Sequence, residues 1–138
     1  MKSLILSSVL SLSLFAGEMQ VFQPPTSTCP KSWFTDMETV SNEIDVVTMM
    51  DVKSLKRNIG IPKEIQSCNT TLMDDYVFEG NVPSKAIKDF LKNTPKNAIG
   101  LSLPAYENEK NPKTVFVIFE DKSYKEYGRY WFLEVPNL

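Results

Sequence analysis

Residues 58–91, NIGIPKEIQSCNTTLMDDYVFEGNVPSKAIKDFL, constrain the fold more than any other stretch. Gly60-Ile61-Pro62 punctuates its start and Gly80-Asn81-Val82-Pro83 its second half. Between them, β-rich residues flank Asp74-Asp75, which predicts a hairpin: a strand within 65–73 around Cys68, and a return strand over 76–78. Pro62 is suited either to start a strand or to take the cis form in a tight turn. Ser84 is expected to cap a helix that turns Ile87, Phe90 and Leu91 towards the core.

Upstream, MQVFQ at 19–23 reads as a short strand ended by Pro24 and Pro25. Pro30 suits the first turn of a helix running to about residue 41, because its missing N–H would be unpaired there anyway. Trp33, Met37 and Val40 then share one face, with Phe34 beside them. Cys29 sits at that helix N-terminus, where the dipole favours a thiolate. IDVVTMM at 44–50 predicts a second strand. Asp51 is a good N-cap for a helix presenting Val52, Leu55 and Ile59, and Gly60 stops it. Two parallel strands joined by a right-handed crossover follow from this β-α-β-α beginning. With the hairpin and third helix the order becomes β-α-β-α-β-β-α, that of thioredoxin and glutaredoxin. The expected fold class is therefore α/β, thioredoxin-like, with an added C-terminal β-hairpin. Residues 99–103 precede that hairpin. Its strands are expected over 114–119 and 127–135, around a charged turn at 120–125. Strict alternation puts Tyr127, Arg129, Trp131 and Leu133 on one face and Tyr130, Phe132 and Glu134 on the other.

The first 16 residues read as a secretory signal: Lys2, an apolar run with serines, then Ala16-Gly17 at a cleavage site. Cleavage after Ala16 leaves one domain over 17–138, exported to the periplasm. The apolar run is short for a bilayer span, so no membrane attachment is expected after cleavage. A formal net charge of −2 argues against a nucleic-acid or anionic-membrane surface. The chain has two cysteines and no histidine. The missing histidines exclude Ser-His-Asp and Cys-His triads and histidine zinc sites.

Several other features have ordinary explanations. Met49 and Met50 would point to opposite faces of a strand, the inward one packing in the core. Met19, Met37 and Met73 read as core or strand residues. Asp74-Asp75 reads as a solvated turn. Tyr127, Tyr130, Trp131 and Phe132 read as core and edge packing, since an acidic chain has no use for a base-stacking platform. Asn69-Thr70-Thr71 matches a glycosylation sequon, weak evidence behind a bacterial-looking signal.

Taken with Gly60-Ile61-Pro62, the segments Ser67-Cys68-Asn69-Thr70, Glu79-Gly80-Asn81-Val82-Pro83 and Gly100-Leu101-Ser102-Leu103-Pro104 resemble the periplasmic CopG-type copper-resistance family. The resemblance covers about residues 19–120. It implies an exported, thioredoxin-like domain whose cysteines bind copper. The family's usual pattern runs Pro-Thr-Cys-Gly-Cys-Cys-x-x-Trp, Gly-Val-Pro, Ser-Cys-His-Thr, Glu-Gly-His-Val-Pro and Gly-Leu-x-x-Pro-Gly-Met-Pro. Aligned on Trp33, the first cysteine cluster keeps Cys29 alone, within Ser27-Thr28-Cys29-Pro30. Cys68 is kept, Asn69 and Asn81 stand at histidine positions, and Ala105-Tyr106-Glu107 lacks the methionine. The chain is thus a divergent member on this resemblance, short of the ligands for a multinuclear cluster.

Three uses of Cys29 and Cys68 remain. Two thiolates can hold one Cu(I) linearly, because copper(I) is soft and prefers sulfur. Oxidised, the same pair forms a structural disulfide, worth about 4 kcal/mol by loop-closure entropy, in a degenerate scaffold without metal. A thiol–disulfide oxidoreductase is the third, although Ser32 stands where a C-x-x-C motif would place its second cysteine. The first two can alternate, since oxidation abolishes the metal site. Cu(I), if any, is the expected bound ion, and an enzymatic role is the less favoured reading.

Overall fold

The computed structural model describes residues 17–27 and 30–132. The expected signal segment, Cys29 and the expected strand positions 133–135 lie outside the described residues.

Among the described residues, seven strands form one sheet in the order β2-β1-β3-β4-β5-β6-β7. They are β1 (Met19–Gln23), β2 (Ile44–Thr48), β3 (Thr70–Met73), β4 (Tyr76–Glu79), β5 (Ala98–Ser102), β6 (Lys113–Phe119) and β7 (Tyr124–Tyr130). The helices are α1 (Lys31–Met37), α2 (Val52–Ile59) and α3 (Ser84–Lys92). β1 pairs in parallel with β2 and antiparallel with β3, and β3–β4 is the predicted hairpin. This is the expected β-α-β-α-β-β-α core, compatible with a thioredoxin-like arrangement. β5 then adds in parallel to β4 and carries the β6–β7 hairpin outwards. The expected segment 99–103 is thus a full sheet member, shifted by one residue to Ala98–Ser102, that joins the C-terminal hairpin to the core.

Alternation along the strands divides the apolar residues between two faces. One face, under α1 and α3, gathers Val21, Met73, Phe78, Leu101, Val115 and Val117 against Trp33, Met37, Val40, Ile87 and Phe90. The other, under α2, gathers Val77 and Ile118 with Ile61 and Ile65. α1 stops at Met37, short of the expected residue 41; Trp33 and Met37 are buried on it as expected, Val40 is buried in the turn that follows, and Met19, Met37 and Met73 are in the core. Phe90 is the hub of α3: its ring meets Tyr76, Phe78 and Tyr127 edge-on at 5.0, 5.7 and 6.3 Å.

Helix ends follow local chemistry. Asp51 caps α2 by accepting the Ser54 N–H, and Gly60 ends it with φ 98°. Such a positive φ is open to glycine at little cost. Ser84 does not cap α3 as expected. Pro83 holds the N-cap position, and Ser84 donates its N–H and hydroxyl to the Asp36 carboxylate at 2.8 and 2.7 Å. An acidic side chain from the end of α1 thus neutralises the open N–H end of α3.

Four expectations about boundaries and facing need correction. The strand around Cys68 is shorter: residues 63–65 form a 3-10 turn and β3 begins only at Thr70. Pro62 follows a trans bond; the cis peptide is Asn111–Pro112. β2 ends at Thr48, so Met49 and Met50 are not strand residues, and Met50 is 85% exposed. Finally, β7 begins earlier than expected and carries a bulge. Phe116 pairs with Glu126 and Val115 with Gly128, leaving Tyr127 as an extra residue. An extra residue reverses the alternation. Tyr127 and Tyr130 therefore share a face and stack with centroids 6.3 Å apart, while Trp131 is 66% exposed.

Replacing Phe90 with alanine should cost about 3–5 kcal/mol, the usual loss for a buried aromatic hub. Urea unfolding of Phe90→Ala measures it; a loss under about 1 kcal/mol would mean that α3 does not depend on this contact.

Candidate functional site

The loop carrying Cys68 is positioned by a buried ion pair. Lys56 occupies the inner face of α2 one turn after Val52, and its side chain runs beneath the start of β3. Its ammonium group contacts the Glu79 carboxylate, with side-chain exposures of 6% and 0%. It also donates to the Thr70 hydroxyl at 2.9 Å and the Ser67 carbonyl at 3.2 Å. All three ammonium protons are thereby placed. Glu79 is equally well used: Oε2 accepts the Ser67 N–H at 2.8 Å and Oε1 accepts the Thr70 hydroxyl at 2.7 Å. Burial pushes the Glu79 carboxyl above its ordinary range, opposed by the Lys56 charge and by hydrogen bonds from Lys56, Ser67 and Thr70. Two charges this deep are tolerable only with their remaining hydrogen-bond capacity met, as here.

Further bonds clamp the same loop. Gly80 N–H donates to the Asn69 carbonyl at 2.8 Å, and the Ser102 hydroxyl donates to the Ile65 carbonyl at 2.5 Å. Gly80 has φ 79°, and a Cβ there would lie 2.4 Å from the Leu103 carbonyl oxygen and 2.6 Å from Ser67 Cβ. A Cβ on Gly100 would meet the Val77 carbonyl oxygen at 1.7 Å. These two glycines allow backbones to approach where a side chain would hold them apart. Residues 65–69 therefore lie locked against β4 and β5.

Cys68 is half-buried beside Asn81. Its Sγ lies 3.8 Å from Asn81 Oδ1 and 4.0 Å from Ser67 Oγ. Cys68 is disulfide-bonded rather than free. The segment after Asn81 is tied to α1, the helix that follows Cys29 in the chain. Trp33 Nε1 donates to the Val82 carbonyl at 3.0 Å, and Asp36 holds Ser84. One short stretch, residues 81–84, thus touches Cys68 at one end and α1 at the other. Helix α1 spans just seven residues.

The asparagines differ from each other. Asn81 is 9% exposed and faces the sulfur; Asn69 is fully buried, with neither amide atom hydrogen-bonded. A sequon whose asparagine is fully buried is no acceptor in the folded chain. Among the described residues, no three His, Cys, Asp or Glu side chains gather as a metal-ligand group. Sequence reasoning missed the Lys56–Glu79 pair. Its signal was present: Lys56 interrupts the apolar face of α2 at i+4 from Val52, and Glu79 closes the β-rich run of β4.

Comparison with known proteins bears on the same region. Residues 65–107 match the family described as protein of unknown function, DUF411. No curated protein matches the sequence. Among solved structures, form 2 of the copper resistance protein CopG superposes with TM-score 0.69 at 19% identity, covering 84% of this chain and 98% of that one. Its form 1 gives TM-score 0.66 at 19% identity, covering 85% and 99%. The chain has the CopG fold. The CopG resemblance read from the motifs thus extends to the whole arrangement of strands and helices. The DUF411 match spans Cys68, Glu79 and Asn81, and stops short of Cys29 on the N-terminal side.

Removing one partner of the buried pair should be severe. Lys56→Met alone should lose about 3–5 kcal/mol, because it strands the Glu79 charge. Lys56→Met with Glu79→Leu should recover part of that loss. Urea unfolding of the two proteins decides; a single variant costing under about 1 kcal/mol would contradict the role given to the pair.

Proposed function

We propose that the protein is an exported copper-handling protein of the CopG type, in which Cys29 and Cys68 form the site. Reduced, the two thiolates hold a single Cu(I); oxidised, they form a disulfide and release it. The supporting observation is that Cys68 is disulfide-bonded while Cys29 is the chain's one other cysteine. Two sulfurs able to bond are close enough for a single soft ion to bridge after a small relaxation. The ties from residues 81–84 to Trp33 and Asp36 give a structural reason for that proximity.

The donor set fits one ion and not a cluster. Two thiolates satisfy Cu(I), which accepts linear sulfur coordination. Asn69 and Asn81 offer hard amide oxygens in place of imidazoles, and no richer group of ligands gathers among the described residues. The protein's contribution is to hold Cys68 on a rigid loop and to supply soft donors. Export of the chain through its N-terminal segment belongs to the same proposal. No helix among the described residues is long and apolar enough to cross a membrane.

The disulfide also favours a second reading, a permanent crosslink on a scaffold without metal. Its entropic value of about 4 kcal/mol would be a large share of a small domain's stability. Anaerobic titration of the reduced protein with Cu(I) against a chromophoric chelator separates the two. One Cu(I) per chain is expected, lost in Cys29→Ser and in Cys68→Ser and absent from the oxidised protein. No uptake by the reduced protein, or uptake unchanged in either variant, would leave the crosslink reading in place.

A further inference from the structure

We infer that Asn81, assisted by Ser67, is a positioning residue that favours the reduced form of Cys68 and so sets how readily its disulfide opens. The inference deepens the reading of Cys29 and Cys68 as a site that alternates between disulfide and dithiol.

Asn81 is an unusual residue to find nine-tenths buried, and its amide oxygen is aimed at a sulfur 3.8 Å away. A disulfide sulfur carries no hydrogen, so it cannot donate to that oxygen, and it is a weak acceptor. No other hydrogen bond of the Asn81 side chain is found among the described residues. In the oxidised protein this buried amide end therefore faces a group that cannot repay its lost hydration. Reduction changes that. A Cys68 thiol can donate to Oδ1, and a thiolate can accept from the amide NH2 once the group turns over about its last torsion. The Ser67 hydroxyl, 4.0 Å from Sγ, is a second donor for the thiolate.

Both side chains are held where they stand. The Ser67 N–H is fixed by Glu79 and the Ser67 carbonyl by Lys56. Asn81 sits between Gly80, bonded to the Asn69 carbonyl, and Val82, whose carbonyl receives Trp33. Only 9% of Asn81 is exposed, so water repays little of what its amide oxygen lacks in the oxidised state, and the interaction with sulfur is largely gained on reduction.

The redox step balances with a dithiol reductant. Its thiolate attacks one sulfur of the pair, the S–S bond breaks through a mixed disulfide, and the second reductant thiol completes the exchange. Two electrons and two protons pass to Cys29 and Cys68, and the reductant leaves as a disulfide. Contacts made only with the reduced form raise the reduction potential.

The test is equilibration of the copper-free protein with dithiothreitol redox buffers, the oxidised fraction being read by thiol alkylation and mass. Asn81→Leu should make the disulfide about tenfold harder to reduce, a potential about 30 mV more negative. Ser67→Ala should move it the same way by a smaller factor, and it carries the test if Asn81→Leu does not fold. Thermal unfolding of both redox forms is the control: Asn81→Leu should weaken the reduced form more than the oxidised one. A potential within twofold of the parent equilibrium in both variants, or a shift towards easier reduction, overturns the inference. Normal Cu(I) uptake with an unmoved potential removes this inference alone. A shifted potential without Cu(I) uptake removes the metal and leaves the tuning of Cys68 standing.

Discussion

The buried contact between Lys56 and Glu79 is the interaction on which the rest of this structure depends. It joins α2 to the β3–β4 hairpin, and through Ser67 and Thr70 it fixes the loop that presents Cys68. An apolar pair of equal volume could hold the helix to the sheet as firmly. It could not hold the Ser67 N–H and carbonyl, which need an acceptor and a donor of their own. The charged pair suits this place because the segment it secures is irregular backbone, whose polar groups lack strand partners.

A second set of ties completes the frame from the opposite face. Trp33 and Asp36 on α1 grip Val82 and Ser84, so α1 and the start of α3 are tied together through residues 81–84. Gly80 and Gly100 let the chain pass close behind this stretch, where any side chain would collide with backbone. Both faces of the sheet thus converge on one loop cluster. That cluster contains most of the motif positions by which the chain resembles CopG, while the outer strands β6 and β7 extend the sheet beyond β5, with Ile118 of β6 in the same apolar cluster as Ile65.

Much of this was legible in the sequence, for identifiable reasons. The order of the first seven elements followed from periodicity and from Asp51, Gly60, Asp74-Asp75 and Gly80, which act locally. Trp33 and Met37 were readable as a buried face from helical spacing, whereas Val40 is buried in the turn after α1 ends. What escaped was non-local. The cap of α3 comes from Asp36, far away in sequence, so Ser84 looked like the cap. The bulge at Tyr127 depends on pairing with β6, and strict alternation consequently put Tyr127 and Tyr130 on opposite faces. The role of Lys56 could not be read locally because its partner, Glu79, belongs to another element. At the candidate site, Cys68 and Asn81 were both singled out by the motifs, but their mutual approach required the fold.

On the reading proposed above, a CopG-like fold clamped by Lys56 and Glu79 carries a sparse site of two sulfurs. On that reading these two sulfurs alone hold the metal. X-ray absorption at the copper edge, on reduced protein loaded with Cu(I), tests it most directly. A copper centre with two sulfur neighbours and no second copper nearby is expected. A copper–copper vector, or a first shell dominated by nitrogen or oxygen, would contradict it.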